Sequence, residues 1–430
     1  MGRVGALYEM ERQRLLSRFI HCREMTEKLC LPLKLEDYVI SSSSETNSPK
    51  WHLAHTTWFF ENFILMKHKN GYEPFKAEYN FIFNSFHRIS GVYPFVDEKK
   101  YGLSRPTVDE ILEYRSVITN ALYEFVNSIS EEKFQQLDKT FELAINYEER
   151  HQELILMDIK RNFFENPLRP KYSSINVVMP SYLGSDHRWV NLPSALVRIG
   201  VEKKHKDFSF DNERDAHSQW IESCMISSHL VTNDEYLAFM EAGGYDNHSL
   251  WPEDGWKIKE KEGWSHPLYW EQEGQTWWTM TLSGMLPINH AAPVSHISYY
   301  EAKAFAHWKG CRLPTEFEWE VASAQESRFS PFLEDEHLDA FPADEDHENF
   351  SQIHGTLWEW TQSAYLPYPR YEKFQHALTG YDDKYMCNQF VLRGGSCITP
   401  RQHYRSTYRN FHYPHMRWQY AGIRLAKDLA

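Results

Sequence analysis

The stretch Asn166-Pro167-Leu168-Arg169-Pro170 divides this chain into two halves of different periodicity. On its N-terminal side, from Leu7 to about Phe164, apolar residues recur at helical spacing. Leu7, Met10, Leu15, Leu16, Phe19 and Ile20 mark a first helix, with Glu and Arg on its other face. The polar run from Ser41 to Pro49 leads into a second helix, expected from about Lys50 to Lys69. A third follows Ser104-Arg105-Pro106-Thr107, where Thr107 and Glu110 have the spacing of a capping box, and continues through Ile111, Tyr114, Ile118, Leu122 and Phe125. The fourth is expected from about Glu131 to Phe164, with a break or kink near Lys139.

Beyond the divide, short alternating runs such as Ile175-Asn176-Val177-Val178-Met179 lie between Gly, Pro, Asn and Ser, as short strands joined by turns do. One or two helices are expected there, with Ser298 to Trp308 the clearest. The fold class is therefore α+β, with a four-helix bundle over residues 1–166 and a turn-rich mixed domain over 167–430. A length of 430 residues also exceeds one typical core, which agrees with two domains.

Composition narrows the function. A net charge of −14 argues against nucleic-acid binding, which needs a basic surface to displace phosphate counterions, and against docking on anionic membranes. No run of about 20 apolar residues is available to span a bilayer. The six cysteines lack CxxC spacing, so neither a zinc ribbon nor a disulfide framework is expected. The N-terminal residues run straight into a charged amphipathic stretch, which reads as cytosolic with reduced thiols. Aromatic residues make up 15% of the chain, so rings are expected to pack much of the core.

Two distant segments carry metal-binding residue types. One runs Trp51-His52-Leu53-Ala54-His55-Thr56-Thr57-Trp58-Phe59-Phe60-Glu61, and the other Asn146-Tyr147-Glu148-Glu149-Arg150-His151-Gln152-Glu153. Histidines on two helices can converge on one divalent metal, since neutral imidazole is a good ligand for iron, zinc and copper. One helical turn before His151, where a further histidine would complete a three-histidine set, the chain has Tyr147.

The C-terminal half contains, in order, Val231-Thr232-Asn233-Asp234-Glu235-Tyr236, Pro293-Val294-Ser295-His296-Ile297-Ser298, Gly310-Cys311-Arg312-Leu313-Pro314-Thr315-Glu316-Phe317-Glu318-Trp319, Gly355-Thr356-Leu357-Trp358-Glu359-Trp360 and Leu392-Arg393-Gly394-Gly395-Ser396. This half resembles the formylglycine-generating-enzyme (sulfatase-modifying factor) domain, a variant of the C-type lectin fold. The N-terminal half resembles the DinB-like four-helix bundle. Joined in this order they resemble the ergothioneine-pathway sulfoxide synthases (EgtB type), as do Thr407-Tyr408-Arg409-Asn410-Phe411 and the ending Arg417 to Leu425.

The resemblance implies an iron(II) enzyme that uses O2 to join a thiol sulfur to an imidazole carbon and to oxidise that sulfur to a sulfoxide. Fe(II) is the cofactor it implies, and a small thiol, an imidazole such as hercynine and O2 are the partners. His55 and His151 match two of the family's three histidine ligands, and Glu153 matches its glutamate. Tyr147 stands at the third ligand position. Asn84-Ser85-Phe86-His87 falls where the branch this chain most resembles has two tyrosines beside the iron, and Asn410-Phe411-His412 where it often has two phenylalanines near the imidazole substrate.

A rebuilt site follows as one expectation: His55 and His151 as ligands, with His87 third or Tyr147 binding as a phenolate, and His87 or Tyr147 supplying the proton. His52 is expected beside the ligands or in the core. Glu153 is expected to orient an imidazole, and Glu61 to be either a surface charge or a histidine's partner. Arg105 and Arg409 are expected to hold substrate carboxylates or to form structural ion pairs. Phe86, Asn410, Phe411 and His412 complete the expected substrate-contact set. The alternative is an altered or inactive relative that binds a metal or small molecule. A copper oxidase of the formylglycine-generating kind is disfavoured, because Ile398 to Asn410 contains no cysteine.

Overall fold

A computed structural model describes residues 3–43, 45–84, 103–173, 188–327, 329–343, 349–373 and 385–429. Contacts divide the chain into two units, Met1–Ser173 and Ser174–Ala430. Among the described residues, no helix is long and apolar enough to cross a membrane.

The first unit is built on four long helices: α1 (Arg3–Cys30), α2 (Pro49–Phe60), α3 (Val108–Ser128) and α4 (Glu131–Glu165). Their starts follow from local chemistry. Ser48 caps α2 by accepting from the Trp51 N–H, and Pro49 occupies the first turn, where a missing N–H costs nothing. Thr107 and Glu110 close the expected capping box on α3. The Ser130 hydroxyl accepts from the Lys133 N–H at the start of α4.

One expectation needs correcting: α4 runs unbroken through Lys139, which lies on its exposed side. The second helix covers the expected residues but is not uniform: after Phe60 it passes through a π-helical segment, Glu61–Leu65, before a last short turn, Met66–His68.

Every residue of α2 is buried, so this helix forms the centre of the bundle. Rings fill the space around it, with Phe19 5.0 Å from Phe60 and 5.2 Å from Phe141 between centroids. Glu148 on α4 is completely buried and accepts from Arg23 at 2.8 Å and Arg115 at 2.5 Å. That ion triad ties α1 and α3 to the helix that carries Tyr147 and His151.

The second unit has twelve short strands among its described residues: β1 (Trp189–Leu192), β2 (Ala195–Ile199), β3 (His217–Ile221), β4 (Cys224–Ser227), β5 (Trp270–Glu273), β6 (Thr276–Thr281), β7 (Gly284–Pro287), β8 (Trp358–Ala364), β9 (Phe390–Arg393), β10 (Asn410–His412), β11 (Ala421–Gly422) and β12 (Ala426–Asp428). The central sheet has the order β10-β9-β8-β11, with β8 and β11 parallel and the other pairs antiparallel. A β1-β4-β12 sheet, a β5-β6-β7 meander and a β2-β3 hairpin accompany it. Four helices lie between them: α5 (Asn233–Glu241), α6 (Glu253–Glu262), α7 (Tyr299–Trp308) and α8 (Glu316–Ser323). That exceeds the one or two expected. Capping boxes at Thr232–Glu235 and Thr315–Glu318 are the sequence signals that mark α5 and α8. The expected strand over 175–179 lies outside the described residues.

Trp319, Trp358 and Trp360 are fully buried, and Glu359 between the last two pairs with Arg424 and accepts from the Trp319 ring N–H at 2.8 Å. The Gly355-to-Trp360 phrase is thus architecture.

Candidate metal centre

α2 presents His52 and His55 three residues apart, and α4 presents Tyr147 and His151 four apart, so each pair projects from one helix face. The fold brings all four together in the bundle interior, none more than 6% exposed. The ring centroids of His55 and His151 are 5.2 Å apart, and Tyr147 lies 5.7 Å from the first and 4.7 Å from the second. Trp51 stacks flat on His55 at 4.4 Å and 9°.

Hydrogen bonds define the chemistry of these rings. His55 Nδ1 lies 2.6 Å from the Phe83 carbonyl oxygen, which can only accept, so Nδ1 carries the proton. Nε2 of His55 is then an acceptor, and the Tyr147 hydroxyl donates to it at 2.8 Å. His151 Nδ1 lies 2.8 Å from His52 Nδ1, and His52 Nε2 lies 3.0 Å from the Asp158 carboxylate. Burial, reinforced by nearby His52, His55 and Arg150, pushes His151 well below the ordinary histidine value, so it is neutral at pH 7.

Among the described residues, no group of three or more His, Cys, Asp or Glu side chains could hold a metal ion. The third polar side chain beside His55 and His151 is the Tyr147 phenol. Two imidazoles and a phenol oxygen suit iron as a donor set, and an anionic phenolate would favour its ferric state. Phe86 and His87 lie outside the described residues.

Several side chains take positions that sequence reasoning left open or missed. Glu61 is neither a surface charge nor a histidine's partner: it is buried, with Tyr72, Tyr114 and the Phe75 N–H donating to it. Glu153 is buried on α4, but the carboxylate bonded to this histidine group is Asp158. Asp158 was not singled out from sequence. Its signal was its place seven residues after His151, two turns along the same face. Arg105 is exposed and donates to the Ser104 carbonyl.

In the second unit, Arg409 is buried with a bidentate grip on Glu316 at 2.8 and 2.9 Å. Its remaining donors reach the Asn212 and Leu366 carbonyls, and Tyr368 stacks on it at 3.9 Å. Of the two expectations for Arg409, the geometry is that of the ion pair. Asn410 and His412 share one face of β10, and Phe411 takes the other, stacked on Tyr365 at 4.1 Å. The His412 and Trp418 rings meet in a T shape, with centroids 5.1 Å apart.

Comparison with known proteins covers both units. The model of the sulfatase-modifying factor enzyme 1-like domain matches residues 186–349 and 339–429, and that of the DinB superfamily matches residues 18–157. A hercynine oxygenase of Mycobacterium tuberculosis is 34% identical over 257 residues, 54% of this chain and 59% of its own length. A hercynine oxygenase of Mycolicibacterium smegmatis is 31% identical over 315 residues, 67% of this chain and 72% of its own. Ergothioneine biosynthesis protein 1 of Schizosaccharomyces pombe is 24% identical over 273 residues, 56% of this chain and 33% of its own.

Proposed function

Because this chain belongs to the EgtB-type family of hercynine oxygenases, a DinB-like bundle joined to a sulfatase-modifying-factor domain, we propose that it is a non-haem iron oxidoreductase. The reaction joins a thiol to a hercynine-like imidazole: RSH, an imidazole C–H and O2 give an imidazolyl sulfoxide and water. One oxygen atom goes to sulfur and the other leaves as water, so the four electrons that O2 accepts come from forming the C–S bond and oxidising the sulfur. The supporting observation is the buried meeting of His55, His151 and Tyr147, with the tautomer of His55 fixed by the Phe83 carbonyl.

His55, His151 and Tyr147 would hold the iron, and the bound iron would supply O2 activation and acidify the thiol. Tyr147 has a second task. Its hydroxyl donates to His55 Nε2, and releasing that proton would free both the nitrogen and a phenolate oxygen. Trp51, stacked on His55, keeps water from that face of the ring.

One observation favours a second reading, a binding protein without the oxidation: Tyr147 fills the lone pair that a histidine at 147 would leave open. Oxygen uptake separates the two. Protein loaded with Fe(II) and given a cysteine-type thiol and histidine betaine should consume O2 in a thiol-dependent manner. No uptake with any imidazole tried would leave the binding reading.

A further inference from the structure

We propose that Asp158 and His52 form a proton-fixed relay that sets the tautomer and ring orientation of His151, leaving the Nε2 lone pair of His151 as the metal donor. Asp158 is 2% exposed and His52 0%, so the relay lies within the bundle, and its parts come from both helices of the site. The inference rests on the reading of His151 as a ligand and adds two positioning residues to it.

The argument is one of donors and acceptors. One Asp158 carboxylate oxygen lies 2.8 Å from the Asn47 N–H and 3.0 Å from His52 Nε2. The Asn47 bond fixes the carboxylate just ahead of α2. A carboxylate accepts only, so His52 Nε2 carries a proton. With His52 neutral, its Nδ1 has the lone pair, and the proton of the 2.8 Å bond to His151 belongs to His151 Nδ1. His151 Nε2 is then bare.

The opposite order, with a second proton on His52, would put a proton on His151 Nε2. That nitrogen has no hydrogen-bond acceptor among the described residues, so the proton would have no side chain or backbone oxygen to bind. His55 reaches the same tautomer by a separate route, through the Phe83 carbonyl at 2.6 Å. Both imidazoles are therefore set to offer Nε2, a common use of hydrogen bonds around metal-ligating histidines.

Long-range 1H–15N NMR of metal-free protein labelled at histidine reads the tautomers directly. The relay requires His151 protonated at Nδ1 and bare at Nε2, and His52 protonated at Nε2. Asp158→Ala should mix the tautomers of both rings and weaken Fe(II) affinity by about 10–100-fold in anaerobic titration. Asp158→Asn, whose amide oxygen can accept both hydrogen bonds, should restore both properties. A proton on His151 Nε2 in the wild type overturns the relay, as does Asp158→Ala with unchanged tautomers. If Asp158→Ala does not fold, the wild-type spectrum decides. Relay tautomers without Fe(II) uptake by the wild type would leave the proton order standing and overturn the metal reading.

Discussion

The Tyr147 hydroxyl donates to His55 Nε2 at 2.8 Å, so a phenol proton occupies the lone pair that a metal would take. The consequences can be measured at Tyr147 itself. Tyr147→Phe removes the hydrogen bond that His55 Nε2 accepts and should cost about 1 kcal/mol of stability in urea unfolding of the metal-free protein. Tyr147→His offers a third imidazole in place of the phenol. It should bind Fe(II) at least about tenfold more tightly than the wild type in anaerobic calorimetry, a gain of about 1.4 kcal/mol.

Glu148, one residue along, stabilises the bundle in a pH-dependent way. Burial pushes its carboxyl up, but the charges and hydrogen bonds of Arg115 and Arg23 outweigh this and hold it below the usual 4.5. A carboxyl lowered in the folded state contributes stability that is fully present above its unfolded value and is lost as pH falls through the folded one. Glu148→Gln should therefore cost about 3 kcal/mol at pH 7, because buried Arg23 loses its carboxylate and buried Arg115 keeps only Glu27. The gap to wild type should narrow below about pH 4.5. Denaturant unfolding of both proteins across that range checks the sign.

The two arginines first considered for substrate carboxylates should part company. Arg409→Ala removes the bidentate partner of buried Glu316 and leaves it only Arg393 at 4.0 Å, at a cost of about 3 kcal/mol to the second unit. Arg105→Ala, at an exposed position, should leave the melting temperature within about 1 °C of wild type. A raised KM for the thiol in Arg105→Ala, with kcat unchanged, would assign Arg105 to substrate binding.

Thr356 has a φ of 63°, in the left-handed region that a β-branched side chain disfavours. Its hydroxyl also has no hydrogen bond among the described residues. Asparagine tolerates this backbone, so Thr356→Asn should stabilise the protein by about 1 kcal/mol, read as a rise in melting temperature.

Much of the fold was legible because its signals are local. The Thr107–Glu110 box and the apolar spacing from Ile111 to Phe125 specify α3 without reference to the rest of the chain. α5 and α8 carry equally local boxes at Thr232 and Thr315, but these are short helices set among turn residues, where the apolar period is too brief to mark them. The π segment at Glu61 was not legible. It accompanies a buried carboxylate satisfied by Tyr72 and Tyr114, distant partners that no helical period reveals. At the site, helical spacing paired Tyr147 with His151. The Asp158–His52–His151 chain depends on which nitrogen faces which oxygen across two helices, and sequence spacing does not carry that information.

The central claim, a metal centre made by His55, His151 and Tyr147, is tested most directly by iron content together with the visible spectrum of air-oxidised, iron-loaded protein. One iron per chain is expected, with a phenolate-to-iron charge-transfer band that disappears in Tyr147→Phe, and iron content should fall to background in His151→Ala. Unchanged iron content in both His55→Ala and His151→Ala, or a wild-type spectrum with no band that depends on Tyr147, would contradict it.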